Sequence, residues 1–191
     1  MLGRDFAAVL DAATSGDETA FAKLWRDVHP ALLRYLRVLT KDATLGEDVA
    51  ADVWVDVARR LRDFAGDESA FRGWLFTLAR RRAIDAWRQA ERAPVQLTAD
   101  HADLDRPGGP DTAGLALERM STRRALDLIA TLPRDQAEAI ALRVIAGLDV
   151  KEVARLLGKR PGAVRVAAHR GLRTLAARLT EHPRSAVVRR P

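Results

Sequence analysis

The chain has 191 residues, a net charge of +6 and no cysteine. Of its 32 basic residues 28 are arginine, which favours an anionic partner, with nucleic acid ahead of a membrane surface. The absence of cysteine excludes disulfides, thiol catalysis and cysteine-ligated zinc, and no apolar stretch predicts a membrane span or a signal peptide. We therefore expect a cytoplasmic protein of one ordinary domain or two small ones, and we favour two.

Two helices are predicted first, over residues 4–13 and 17–40, with Asp17 as the N-cap of the second. Pro30 lies inside the second segment and predicts a kink or a break. No alternating apolar pattern of strand length follows, so the predicted fold class is all-α. The apolar stripe of the second helix is expected to be core and consists of Phe21, Leu24, Val28, Leu32, Leu36 and Leu39.

The next predicted helix is acidic on one side. Asp48, Asp52 and Asp56 recur every four residues, and no basic residue lies between residues 42 and 56. Like charges at this spacing repel each other, so such a helix is plausible as a contact for a basic protein partner. A solvated face is the alternative, and the sequence leaves both open.

The stretch over residues 71–88 predicts a helix that is both apolar and basic. Aromatic rings beside arginines suit the binding of unpaired bases and phosphates, and a loop between Phe64 and Phe71 is a possible pocket for an extruded base. The alternatives are that the aromatic residues are core and that the two phenylalanines form a local apolar clasp. The candidate DNA-binding residues are Phe64, Phe71, Trp74, Arg80, Arg81, Arg82 and Arg88, with Arg72 expected on the same basic surface.

A segment rich in proline, glycine and aspartate predicts a flexible linker over residues 94–114. Helical periodicity then returns over residues 115–180. Its last part predicts a helix-turn-helix, with a turn at residues 158–160 and a second helix that begins at Pro161. Arg165, His169 and Arg173 share the outer face of that helix, which is the face expected to meet DNA.

In this order the segments resemble the extracytoplasmic-function sigma factors, the small promoter-recognition subunits of bacterial RNA polymerase. LGEDVAADVWVDVARRL resembles the family's core-polymerase-binding helix, and FRGWLFTLARRRAIDAWR resembles its promoter-melting helix, which reads the minus-ten element. The segment from ATLPRDQ to LAARL resembles the domain that reads the minus-thirty-five element.

The resemblance implies a sigma region 2-like domain over residues 1–93, a sigma region 4-like domain over 115–180, and a basic tail over 181–191. Its implied partners are core RNA polymerase and promoter DNA, with an anti-sigma factor as a further candidate and no cofactor or metal. Asp48, Asp52 and Asp56 would contact polymerase. The upstream element would be contacted by Arg160, Arg165, His169, Arg170 and Arg173.

The sequence departs from the family pattern at three places. Ala51 stands where the family usually has glutamine, Arg81 where it often has asparagine, and Ala167 where the recognition helix usually has a polar residue. A stand-alone helix-turn-helix regulator and a polymerase-binding inhibitor are the competing functions. An enzyme is the weakest alternative, because neither a phosphate-binding glycine loop nor a paired-histidine metal motif is present. Because the linker is flexible, we also expect the separation of the two domains to be unconstrained in the free chain.

Overall fold

The computed structural model describes residues 2–92 and 112–181, and all regular structure within them is helical. This confirms the all-α prediction for the described part of the chain. Residues 94–111 of the predicted linker and 182–191 of the predicted tail lie outside it. The helices are α1 (Phe6–Thr14), α2 (Glu18–Thr40), α3 (Ala43–Arg60), α4 (Glu68–Arg92), α5 (Thr112–Ala130), α6 (Arg134–Ile140), α7 (Val150–Leu157) and α8 (Pro161–Glu181).

The first four helices pack around one apolar core. The Asp17 carboxylate accepts hydrogen bonds from the backbone N–H groups of Thr19 and Ala20, at 2.7 and 3.1 Å, and so begins α2 as predicted. Asp67 caps α4 in the same way, through the N–H of Ala70 at 2.8 Å. The predicted stripe of α2 is buried except for Phe21, which is half-buried.

Pro30 does not break α2, which runs without interruption from Glu18 to Thr40. Proline inside a helix costs about 3 kcal/mol, because it removes one hydrogen bond and crowds the preceding turn. Each large apolar side chain that a helix buries contributes about 1.5–3 kcal/mol, and α2 buries Val28 and Leu32 on either side of the proline. Pro30 itself is exposed. Burial along the opposite face therefore outweighs the local cost.

The second domain contains the predicted helix-turn-helix. The carboxylates of Asp149 and Glu152 each accept a hydrogen bond from the other residue's backbone N–H, and this capping box begins α7. Gly158 ends α7 with a φ of 64°. Only glycine adopts this left-handed conformation without a steric penalty, which explains the turn that leads into α8. A π-helical turn over Ala141–Ile145 extends α6 and directs the chain toward α7.

The two domains lie against each other. Helix α2 contacts α5, α6 and the π-helical turn, and α4 contacts α7. The expectation of an unconstrained separation is therefore wrong for this structure. The two domains are held against each other by polar contacts between residues that are far apart in sequence. These contacts are described below.

Candidate nucleic-acid interfaces

The acidic face of α3 is smaller than the sequence predicts. Asp48 and Asp52 are exposed, whereas Asp56 is buried and forms an ion pair with Arg82 at 2.6 Å. The cause is geometric: an α-helix turns by about 100° per residue, so each step of four residues rotates the face by about 40°. After two steps the third aspartate has rotated into the interface with α4. The prediction that Asp56 faces a partner is therefore wrong.

The aromatic residues near the start of α4 form a cluster. Phe64 stacks on Trp74, with ring centroids 5.1 Å apart, and meets Phe71 edge to face at 5.6 Å. Phe71 is fully buried, so the structure places it in the core and away from any incoming base. The half-buried Phe64 and Trp74 line an open cavity of about 360 Å³. The apolar clasp and the pocket thus occur together, and the clasp forms one wall of the pocket.

The arginines predicted to follow DNA phosphates differ in their surroundings. Arg82 is bound to Asp56, and this hydrogen bond raises the pKa of the Arg82 guanidinium further above its usual range. Arg80 forms an ion pair with Glu138 of the second domain at 3.4 Å. Arg88 is exposed and has only a distant partner in Asp85, at 3.9 Å. Arg81 is exposed and forms no ion pair with a described residue, which leaves it available for an anionic ligand.

The outer face of α8 matches the prediction. Arg165, His169 and Arg173 are all exposed, and so are Arg160 and Arg170. Val164 is buried beneath them. Gly171 allows α8 to approach α6 closely, because a Cβ at this position would lie 2.6 Å from Cδ1 of Ile140. The fold therefore presents a row of basic side chains on a helix whose opposite face is held against α6.

Two features of the structure were missed from the sequence. Arg72, expected on the basic surface, is buried and bridges the two domains, and Gly171 supports the recognition helix from behind. The role of Gly171 could have been predicted from the sequence, because it is a glycine on the inward side of an amphipathic helix. Nothing in the local sequence indicates the partner of Arg72, since it lies 74 residues away.

A third missed feature is an aromatic group between α2 and α3. His29 accepts a hydrogen bond from Nε1 of Trp54 at 3.1 Å, and Trp25 stacks on the imidazole with ring centroids 4.2 Å apart. Burial lowers the pKa of His29 below 6.5, and the charge of Glu47 opposes this shift. The neutral imidazole is therefore favoured in the folded protein.

This histidine predicts a pH dependence of stability. The pKa of His29 is lower in the folded than in the unfolded state. Its contribution to the free energy of unfolding is therefore fully present above pH 6.5 and is lost as the pH falls toward the folded pKa. We expect the free energy of unfolding to decrease between about pH 7.5 and about pH 5. The decrease should be smaller in His29→Gln, which retains an acceptor for Trp54 but cannot titrate. Denaturant unfolding at both pH values measures this, and equal decreases in both proteins would contradict it.

Comparisons with known proteins agree with the division of the chain into two helical domains. The sigma-70 region 2 family model matches residues 24–93, and the sigma-70 region 4 model matches residues 122–175. The ECF RNA polymerase sigma factor ShbA of Streptomyces griseus is 36% identical, over 89% of this chain and 93% of that protein. The ECF RNA polymerase sigma factor SigD of Mycobacterium tuberculosis is 31% identical, over 92% of this chain and 84% of that protein.

Two solved structures share the fold. CnrH, solved in complex with the cytosolic domain of CnrY, superposes with a TM-score of 0.64 at 23% identity, over 93% of this chain and 99% of that chain. The sigma factor RpoE of Bartonella quintana, solved with the anti-sigma factor NepR, gives a TM-score of 0.61 at 22% identity, over 86% of this chain and 98% of that chain. Within the described residues no helix is both long and apolar enough to cross a membrane.

Proposed function

The chain belongs to the sigma-70 family as an extracytoplasmic-function RNA polymerase sigma factor, and from that premise we propose which of its residues bind polymerase and promoter DNA. The observation that carries the proposal is the placement of two exposed basic sites, one in each sigma-70 region. The one in region 2 consists of the exposed Arg81 and the cavity lined by Phe64, Trp74 and Arg60. The other is the outer face of α8 in region 4.

Core polymerase is the partner for the acidic face of α3. Asp48 and Asp52 are exposed, and the small side chain of Ala51 lies between them on the same outer surface. A negative patch of this kind accelerates association with a basic surface and sets the orientation of the two proteins. Asp56 contributes by holding Arg82, in the second half of α4, in place, because its carboxylate accepts from Arg82 at 2.7 Å.

The region 2 site receives unpaired bases of the non-template strand. A cavity of about 360 Å³ bounded by Phe64 and Trp74 offers apolar and aromatic walls to one extruded base, and stacking of this kind is worth about 1–3 kcal/mol per base. Arg60 also lines the cavity, and its positive charge lies near the phosphates that such a base would bring.

Replacing Arg81 with alanine should reduce transcription from a fully paired promoter more than from one with a pre-melted bubble. The reason is that capture of the displaced strand offsets the cost of unpairing, and a bubble removes that cost. Run-off transcription on matched templates measures the ratio, with Arg34→Ala on the exposed side of α2 as the control. Equal losses on both templates would assign Arg81 to docking on duplex DNA instead.

The region 4 site reads the upstream promoter element in the major groove. Arg165 is expected to contact a base edge, whereas Arg170 lies to the side of the row formed by Arg165, His169 and Arg173 and is expected to contact a phosphate. Arg165→Ala should relax the preference at one or two base pairs, by about 1–3 kcal/mol each. Arg170→Ala should weaken binding to all sequences alike. Promoter-variant competition measures both, and identical profiles for the two variants would contradict direct readout by Arg165.

The protein would act without catalytic activity of its own, in the cytoplasm where polymerase works. An anti-sigma factor is a further proposed partner, because the superposing sigma factor RpoE was solved in complex with the anti-sigma factor NepR.

In vitro transcription with purified core polymerase tests the proposal. We expect specific transcripts from a cognate promoter only when the chain is added. Specific DNA binding without any transcript would favour a stand-alone regulator. Polymerase binding without promoter opening would favour an inhibitor.

A further inference from the structure

An exposed apolar side chain lies in the middle of the basic face of α8. Val166 belongs to the second turn of this helix and is 48% exposed. Because an α-helix turns by about 100° per residue, Val166 lies about 160° around the axis from the buried Val164. The same rotation places it between His169, about 60° to one side, and Arg170, about 40° to the other. Val166 therefore faces away from the core, between two basic neighbours.

The helix surface beside Val166 is open and consists mostly of small residues. A cavity of about 470 Å³ lies between this surface and the start of α6, and Val166 lines it together with Gly162, Ala163, Ala167 and Arg170. A Cβ on Gly162 would meet nothing within 4 Å, so the first turn of α8 leaves room for another molecule. Arg170 forms no ion pair with a described residue and is available to an anion at the edge of the cavity.

The chemistry of the major groove indicates what this surface recognises. Base edges there present hydrogen-bond donors and acceptors, and the C5-methyl group of thymine is the apolar group among them. The residues near the start of a recognition helix are the ones that contact base edges. A valine side chain can neither donate nor accept a hydrogen bond, so it gains free energy only from an apolar contact. The carboxylate of Asp135 also lines the cavity but is paired with Lys159, which reduces its repulsion of DNA.

We propose that Val166 makes the upstream promoter element specific for thymine at one position, by packing against the C5-methyl group of that base. The basic residues around it attract the phosphates and set the register of α8, but phosphates carry no sequence information. Val166 supplies that information on this side of the helix. A protein partner fits the surface less well, because the core of a protein interface needs large apolar side chains and is poor in charge. The inference rests on the proposed function, which places α8 in the major groove.

The probe is a pool of promoter fragments randomised over the upstream element. The pool is selected for binding to core polymerase combined with the full chain, and the enriched fragments should share a thymine on one strand. Replacing that thymine with deoxyuridine removes the methyl group and leaves every hydrogen-bonding group of the base in place. We expect binding to weaken about fourfold, which corresponds to one methyl group returned to water at about 0.8 kcal/mol.

Val166→Ala is the test variant, and Val144→Ala is its matched control. Alanine has the highest helix propensity, so Val166→Ala should keep α8 intact while it removes both Cγ methyl groups from the contact. The ratio of thymine to deoxyuridine affinity should fall from about four in the native chain to about one in this variant. Val144 is a 67% exposed valine on the π-helical turn, outside α8, and the same substitution there should leave the ratio unchanged.

The possible outcomes separate this inference from the proposed function. Enriched fragments without a shared thymine, equal affinity of the native chain for thymine and deoxyuridine, or a native ratio in Val166→Ala would each overturn the inference. Recognition of the upstream element by α8 would still stand in those three cases. If the native chain with core polymerase enriched no upstream sequence at all, the proposed function would be contradicted, and the inference would fall with it.

Discussion

Replacing Asp56 with lysine is expected to lower the free energy of unfolding by about 3 kcal/mol. Asp56 is 4% exposed and accepts a hydrogen bond from Arg82 at 2.7 Å. The guanidinium of Arg60 lies 4.0 Å from the same carboxylate. Lysine would place a third positive charge next to two arginines, at a position that is itself buried. Removing one partner of a buried pair costs about 3–5 kcal/mol, and the lower value applies because the Arg82 side chain is 40% exposed and can be resolvated.

The two exposed aspartates of the same helix provide the matched comparison. Asp48→Lys combined with Asp52→Lys should leave the unfolding transition nearly unchanged, because it relieves repulsion at the surface, and should weaken binding to core polymerase. Denaturant unfolding and a polymerase binding assay at two salt concentrations separate the two effects. If Asp56→Lys were as stable as the native chain, or if the double variant bound polymerase normally, the assignment of these carboxylates would be wrong.

Replacing Gly171 with valine is expected to displace the recognition helix and to abolish promoter-specific transcription. A Cβ at this position would lie 2.6 Å from Cδ1 of Ile140, 3.2 Å from Cβ of Gln136 and 3.3 Å from Cδ1 of Leu132. One flexible side chain can move aside, but a branched residue meets all three neighbours at once. Overpacking of this kind costs about 1–3 kcal/mol. The loss should appear as earlier unfolding of the second domain.

Gly162 on the same helix is the control for this prediction. A Cβ there would meet nothing within 4 Å, so Gly162→Ala should be neutral or slightly stabilising by a few tenths of a kcal/mol to about 1 kcal/mol. Thermal and denaturant unfolding compare the two variants without involving DNA. Unchanged stability in Gly171→Val would show that α8 does not depend on its close approach to α6.

Local periodicity predicted the features that local sequence determines. The apolar stripe of α2, the cap at Asp17 and the turn at Gly158 all follow from patterns within a few residues, and the structure confirms them. Pro30 was the exception, because its local cost is outweighed by burial along the rest of α2.

The candidate sites could be predicted only in part, because packing between distant residues decides which side chains are buried. A four-residue spacing predicts that the three aspartates share one face of the helix. Because the helix turns by about 100° per residue, Asp56 does not lie directly below Asp48 and is buried in the core instead. Phe71 and Trp74 are both aromatic neighbours of the loop, yet only packing decides that the first is buried. The contacts of Arg80 with Glu138 span 58 residues, and no local pattern encodes them.

Footprinting of a cognate promoter, with and without core polymerase, tests the central claim most directly. A monomeric helix-turn-helix binds DNA weakly, because a single module of this size makes few contacts. Core polymerase would hold the two DNA-binding sites at the separation of the two promoter elements and so combine two weak contacts into one strong one. We expect weak, salt-sensitive protection by the chain alone and specific protection of both elements when core polymerase is added. Tight, sequence-specific protection by the chain alone would contradict the account and favour a stand-alone regulator.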